Sequence, residues 1–296
     1  MSRYWNRIDR AWLDANEYAG CGFGYLRMFT PEVLKEARAT VDEALKLSGD
    51  PAGLIYRRVK LIDESLSAFE LFMKMRRDWA AGRVDGLGAD YAQWRATIVS
   101  LNTRYGGELS FGGAYGTTEY PDRFYGIAYK DASRVAKELT PLASPLMRWQ
   151  YRLDKEEKAE ALGWTNPDLD DTDWKTTHVV MDTWSALGHH NTMGRMAYRA
   201  SAQLDAVPTG KKAFVWIGST DGSAKLFVNG QHVKYFAPQR GEARDTFSGY
   251  CQPAQFDVTA AIKPGANQIT ILCERKWLNE LGTGGLIGPV VVYREK

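Results

Sequence analysis

Ala224-Lys225-Leu226-Phe227-Val228-Asn229-Gly230-Gln231-His232-Val233-Lys234-Tyr235-Phe236 decides how the second half of this chain is read. Two alternating runs, 224–228 and 232–236, flank Asn229-Gly230. Both turn residues tolerate positive φ, so the pair predicts a two-residue hairpin between antiparallel strands. The pattern recurs outward from the hairpin. Upstream, 147–153, 177–181, 196–204 and 212–217 are short runs bounded by Gly, Pro, Asn and Asp; downstream lie 268–273 and 289–293. In 268–273, Ile269, Ile271 and Cys273 share one face. Seven or eight short strands in about 150 residues, with no helices between them, predict an antiparallel sandwich.

Before residue 146 the period is helical. Trp5, Ile8, Trp12 and Ala15 give a first helix over 2–18. Thr30-Pro31-Glu32 starts the next: a hydroxyl cap, proline in the first turn and an acid at the positive end of the dipole. It runs to Gly49. Asp50-Pro51 opens a long third helix with the stripe Ile55, Val59, Ile62, Leu66, Phe69, Phe72, Met73 and Trp79. A fourth covers 89–105, with Tyr91, Trp94, Ile98 and Leu101 inward. Residues 106–126, rich in Gly and Tyr, read as an irregular loop expected to pack on the sandwich, and 130–139 as a short last helix. Thr140-Pro141 through Ser144-Pro145 reads as the linker. The expected architecture is α+β multidomain: a helical bundle at 1–145 followed by an antiparallel β-sandwich at 146–296.

The 296 residues are 25% charged and 44% hydrophobic, an ordinary globular composition that excludes a largely disordered chain. The formal net charge is +2, with no basic excess of the kind that neutralises a nucleic-acid backbone. No apolar run is long enough to span a membrane, and the start, MSRYWNRIDRAW, lacks the apolar core of a signal peptide. Cys21, Cys251 and Cys273 form no C-x-x-C pair, which argues against a disulfide framework and a zinc site, although one Cys251–Cys273 bridge stays open. Ten Trp is a high count. Trp is mostly a core residue, and it is also a platform for the apolar face of a sugar.

Several stretches of the second half, in order, resemble the galactose-binding-like jelly-roll domain of beta-galactosidase-type glycoside hydrolases. They are Trp149-Gln150-Tyr151-Arg152-Leu153-Asp154; Gly163-Trp164 with Pro167-Asp168-Leu169-Asp170-Asp171-Thr172-Asp173-Trp174; Tyr198-Arg199; Leu226 to Gly230; Phe256-Asp257-Val258-Thr259 with Lys263-Pro264-Gly265-Ala266-Asn267; and Gly284-Gly285-Leu286-Ile287-Gly288-Pro289-Val290. In the first half, Thr30 to Leu34, Ala44-Leu45 and Arg57-Arg58-Val59 resemble the helical segment that follows the catalytic barrel in large glycoside-hydrolase-like proteins related to alpha-glucuronidases. The resemblance implies the C-terminal part of a larger protein, exported to the periplasm or beyond, with an upstream catalytic barrel as partner. No cofactor is expected, although domains of this kind often hold one structural calcium, mainly through backbone oxygens, and such a site stays open here with its ligands unassigned. A likeness of fold bounds function only by analogy.

The residues themselves favour sugar binding over catalysis. No G-x-S-x-G, H-E-x-x-H, Walker A or dinucleotide motif occurs. Glu274 and Glu280, flanking Trp277, are the one carboxylate pair placed to act on a glycoside, for which the two must face one sugar. Three loops combine aromatic and planar polar side chains: 183–191, 239–250 and 275–280. Trp184 or Trp277 is expected to be the platform. His190, Asn191, Arg240, Arg275, Asn279 and Glu280 are expected as polar partners. Trp149, Trp164, Trp174 and Trp216 read as core. Adjacent His189 and His190 should point apart, and the acidic run Asp168–Asp173 lacks the mid-loop Gly and terminal Glu of an EF-hand. The expected function is non-catalytic binding of a polysaccharide or oligosaccharide. Arg240, Arg244 and Arg275 are available to a uronic acid or sulfate. A structural buttress and a glycoside hydrolase in its own right are the two rivals.

Overall fold

The computed structural model describes residues 1–15, 24–105, 121–190, 192–237, 240–276 and 284–296. Among these, the helices are α1 (Ser2–Leu13), α2 (Tyr25–Met28), α3 (Pro31–Leu47), α4 (Leu54–Ala80), α5 (Leu87–Tyr105) and α6 (Ile127–Glu138). At the start of α3, the Val33 amide donates to Thr30 Oγ1 at 3.4 Å, as a hydroxyl cap should. A π-turn at Asp122–Gly126 leads straight into α6, so the helix begins well before residue 130. The first helix also departs from expectation: Tyr4 and Ala11 are buried, while Trp5 and Trp12 lie about half exposed. The stripe of α4 holds at Val59, Leu66, Met73 and Trp79, but Ile55 faces solvent.

The strands are β1 (Leu139–Pro141), β2 (Arg148–Asp154), β3 (Lys175–His178), β4 (Gly194–Leu204), β5 (Ala213–Val228), β6 (Gln231–Val233), β7 (Tyr235–Ala237), β8 (Glu242–Arg244), β9 (Phe247–Asp257), β10 (Gly265–Arg275), β11 (Gly285–Leu286) and β12 (Val290–Glu295). Pairing is antiparallel throughout, in the order β1-β12-β5-β10-β4-β2-β3, with β6, β9 and β11 also on β5. The runs 212–217 and 224–228 are therefore one strand. Its register with β9 shifts between Ile217 and Asp221. Such a bulge bends a strand, and β5 pairs with β12 before the bend and with β10 after it.

Alternation then fixes what each face meets. Met196, Tyr198, Val215, Ile217, Leu226, Ile269, Ile271, Val290 and Val292 pack together as the inner core of the sandwich. Their neighbours Trp216, Val291 and Tyr293 point the other way, into a second core shared with Trp79, Tyr91, Tyr129 and Val135 of α4, α5 and α6. The opposite outer face, at Ala197, Phe227 and Leu272, is covered by Ala159, Trp164 and Trp174. The strand β1 spans the predicted end of the last helix and the start of the stretch read as linker, with Leu139 paired to Glu295 and Thr140 to Arg294. Cys251 and Cys273 are both buried and form no bridge with each other, since they belong to the helix-side and inner cores respectively, on opposite sides of the sheet.

Candidate functional site

At the end of the sandwich where β5 bends, Asp221, Ser223, Ser248, Tyr250, Glu274 and Lys276 line an open cleft of about 650 Å³. Three elements build it. Just past the bulge, Asp221 pairs with Tyr250 of β9 and Gly285 of β11, and β10 ends with Glu274 and Arg275. Gly222 sits at φ +113°, and a Cβ there would lie 2.4 Å from the Glu274 carbonyl oxygen, so only glycine lets β5 approach β10 this closely.

The polar groups are held in place. Asp221 is buried, and its Oδ2 accepts the Gly284 amide at 2.7 Å. Ser223 Oγ donates to Glu274 Oε2 at 3.3 Å, and Lys276 Nζ stands 3.8 Å from the same carboxylate. The ring of Tyr250 rests edge-on against Phe124 at 5.3 Å between centroids. A helix-side aromatic thus supports the one aromatic wall of the cleft among the described residues.

This arrangement unites only part of what the sequence marked. Arg275 lines the cleft but is 4% exposed, so its stem is packed rather than offered. Trp184 is corrected outright: it is 0% exposed, it packs in the inner core, and its indole donates to Tyr198 Oη at 2.7 Å. Its apolar faces are needed for packing beneath Gly284 and Gly285, which leaves none for a sugar. His190 is exposed, whereas His189 is partly buried with its ring edge-on to Tyr151, so the two histidines do diverge. Burial, with Lys175 and Lys155 nearby, lowers the pKa of His189. Arg240 is exposed at the turn between β7 and β8, away from the residues that line the cleft. Residues 239–250 are not one loop: β8 and the start of β9 lie within them. Asn191, Trp277, Asn279 and Glu280 fall outside the described residues, and with Glu280 goes the proposed Glu274–Glu280 pair.

The acidic run is committed elsewhere. Arg199, 1% exposed, donates to Asp171 Oδ2 at 2.7 Å and to the Trp164 and Asn166 carbonyls at 2.6 and 3.0 Å. Asp173 pairs with Arg152, and Asp170 accepts from the Thr172 hydroxyl. Among the described residues no three His, Cys, Asp or Glu side chains are grouped to hold a metal ion. No described helix is long and apolar enough to cross a membrane.

Sequence reasoning missed a second cleft, between α6 and the outer face of β5 and β9. Its signal was Phe236, an aromatic in register with the polar His232 and Lys234 of the predicted strand.

No family model matches the chain, and no curated protein matches it. Among solved structures it is similar to a Ruminococcus gnavus beta-glucuronidase, at 18% identity and a TM-score of 0.41 over 53% of this chain and 28% of that one. A b-glucuronidase from Ruminococcus gnavus in complex with D-glucuronic acid matches at 19% identity and a TM-score of 0.39, over 53% of this chain and 29% of that one. A Lactobacillus rhamnosus beta-glucuronidase matches at 17% and 0.40, over 53% and 30%. The chain therefore spans less than a third of the length of these structures. At these scores the likeness assigns neither family nor activity to it.

Proposed function

We propose that this chain binds carbohydrate without cleaving it, at the sandwich-end cleft, as an accessory region of a glycoside-hydrolase-type protein. The observation that carries the reading is the pairing of Tyr250, braced on Phe124, with Glu274, Ser223 and Lys276 around one open cleft. An aromatic wall takes the C–H face of a sugar, and fixed donors and acceptors take its hydroxyls. Of the two carboxylates there, Asp221 is buried on a backbone amide, which suits a structural role and leaves Glu274 without an exposed carboxylate opposite it among the described residues. Binding at such an open site is weak, because ordered water is displaced for a modest gain. Its use is to raise local concentration on a polymer.

The test is affinity electrophoresis of the whole chain on a panel of polysaccharides, beside Tyr250→Ala and Glu274→Gln. Retardation should fall about tenfold in apparent affinity in Tyr250→Ala. Retardation unchanged in both variants would remove the site. A second reading, a buttress for a larger enzyme, is favoured by one observation: Trp184, one of the two candidate platforms, is wholly in the core. A chain retarded by no polymer would move the weight there.

A further inference from the structure

We infer that the cleft between α6 and the outer face of the sandwich is a second binding site, and that it takes an uncharged oligosaccharide. It stands on its own geometry and shares no lining residue with the sandwich-end cleft.

The cleft follows from alternation. On β5 and β9 the inward positions Ala213, Val215, Ala254 and Phe256 belong to the inner core, which turns Phe214, Gln255 and Asp257 outward. Helix α6 covers Trp216 but leaves Phe214 only partly buried, and the gap is about 730 Å³. That is a volume in the range of small-ligand sites. Phe236 forms one wall and is 55% exposed. An isolated exposed phenylalanine is unremarkable. Here it stands over a set of polar groups whose orientations are already fixed.

Those groups form two sets, one around Arg134 and one around Asp257. Arg134 donates to Asp131 Oδ1 at 2.7 Å, to Glu138 Oε2 at 3.0 Å and to Gln255 Oε1 at 3.2 Å. The other oxygen of Asp131 accepts the Trp216 indole N–H at 2.8 Å. Asp257 accepts the Thr259 hydroxyl at 2.6 Å, with Lys212 Nζ 3.4 Å away. Gln255 gives its carbonyl oxygen to Arg134, which leaves its NH₂ group to donate to a ligand. Planar groups held in this way need little ordering when a ligand arrives. A sugar offers neighbouring hydroxyls to such groups and a C–H face to Phe236.

Charge and topology narrow the ligand. Asp131 and Asp257 balance Arg134 and Lys212, so the lining carries no net charge to attract a phosphate, sulfate or uronate. An extended peptide is held by adding to a free strand edge. The floor here is a sheet face: β5 is paired with β12 and β9 on its two sides, and on β9, which pairs only with β5 among the described residues, Pro253 has no amide N–H to donate to an added strand.

The experiment is calorimetric titration of the whole chain with cello-, xylo-, manno- and galacto-oligosaccharides. Wild type is compared with Phe236→Ala, Gln255→Ala, Phe236→Trp and the sandwich-end variant Tyr250→Ala. Phe236 is exposed, and an unchanged unfolding midpoint will show that its replacement leaves the fold intact. The expected result is a loss of about tenfold in affinity for Phe236→Ala, several-fold for Gln255→Ala, and binding kept in Phe236→Trp and Tyr250→Ala. Full affinity in both Phe236→Ala and Gln255→Ala overturns the inference, as does the absence of binding to every oligosaccharide. If Tyr250→Ala alone loses binding, this cleft falls and the sandwich-end site stands. If Phe236→Ala alone loses it, the reverse holds.

Discussion

Asp63 shows how a single carboxylate ties the helices together. It is 9% exposed on α4, and it accepts from Arg38 of α3 at 2.5 Å and from Lys60 at 2.6 Å. Burial alone would raise its pKa; the hydrogen bonds from Lys60 and Arg38 outweigh burial and hold it below the ordinary carboxylate value. A pKa lowered by folding means that the folded state prefers the ionised form. The contribution is complete above the unfolded value, about 3.9, and is lost as pH falls through the lower folded value. We expect Asp63→Asn to cost about 1–2 kcal/mol at neutral pH, and to flatten the fall in stability across that acid window. Urea titrations at a series of pH values measure both; parallel pH profiles for the two chains would contradict the assignment. Residue identity alone could not show this pairing, because Arg38 and Asp63 meet only once α3 and α4 are packed.

At the scale of elements, the short β11 explains why Trp184 misled the sequence reading. Gly285 has φ +80°, and a Cβ on it would come within 2.2 Å of Tyr198 Oη and 2.4 Å of the Trp184 indole nitrogen. The backbone of β11 is therefore laid directly on the Trp184–Tyr198 pair. Gly285→Ala should destabilise the chain by about 2 kcal/mol or more, since both the conformation and the space are lost. Equilibrium unfolding reads the change directly, and a neutral substitution would show that β11 can lift without cost. The hairpin at Asn229-Gly230, the cap at Thr30 and most strands were legible because each depends on residues close in sequence. The bend in β5 was not, because a bulge is set by pairing with β9, some thirty residues further on. The same reason hid β1, whose partner lies at the far end of the chain. Of the candidate sites, Glu274 and Tyr250 were legible as polar and aromatic residues in accessible stretches. The helix-side cleft was not, since Asp131, Phe236 and Gln255 converge only through the contact of α6 with the sheet.

For the whole molecule, that contact governs stability. Trp79 of α4 is 1% exposed, and its indole donates to the Ile287 carbonyl at 3.1 Å. Its ring meets Trp216 of β5 edge-on at 6.0 Å and Tyr129 of α6 at 5.2 Å. Helices and sandwich thus share one of their main cores, and neither can open there without exposing the other. We expect one cooperative transition, with helix content followed by far-ultraviolet circular dichroism and aromatic packing by the near-ultraviolet signal. Trp79→Ala should lower the midpoint of both signals together, by about 3–5 kcal/mol in stability. Two separated transitions in the wild-type chain would mean that the shared core contributes little.

The seam formed by Trp79, Ile287 and β12 also sets a schedule for biosynthesis. The aromatic faces of α4 and α6 are synthesised well before three of the residues that cover them, Ile287, Val291 and Tyr293. At about 5–20 residues per second, the roughly 150 residues from the end of α6 to β12 take on the order of ten seconds to translate. Until Ile287, Val291 and Tyr293 are made, the seam on Trp79 and Tyr129 is only partly covered, by Trp216 and its neighbours, and the shared core cannot close.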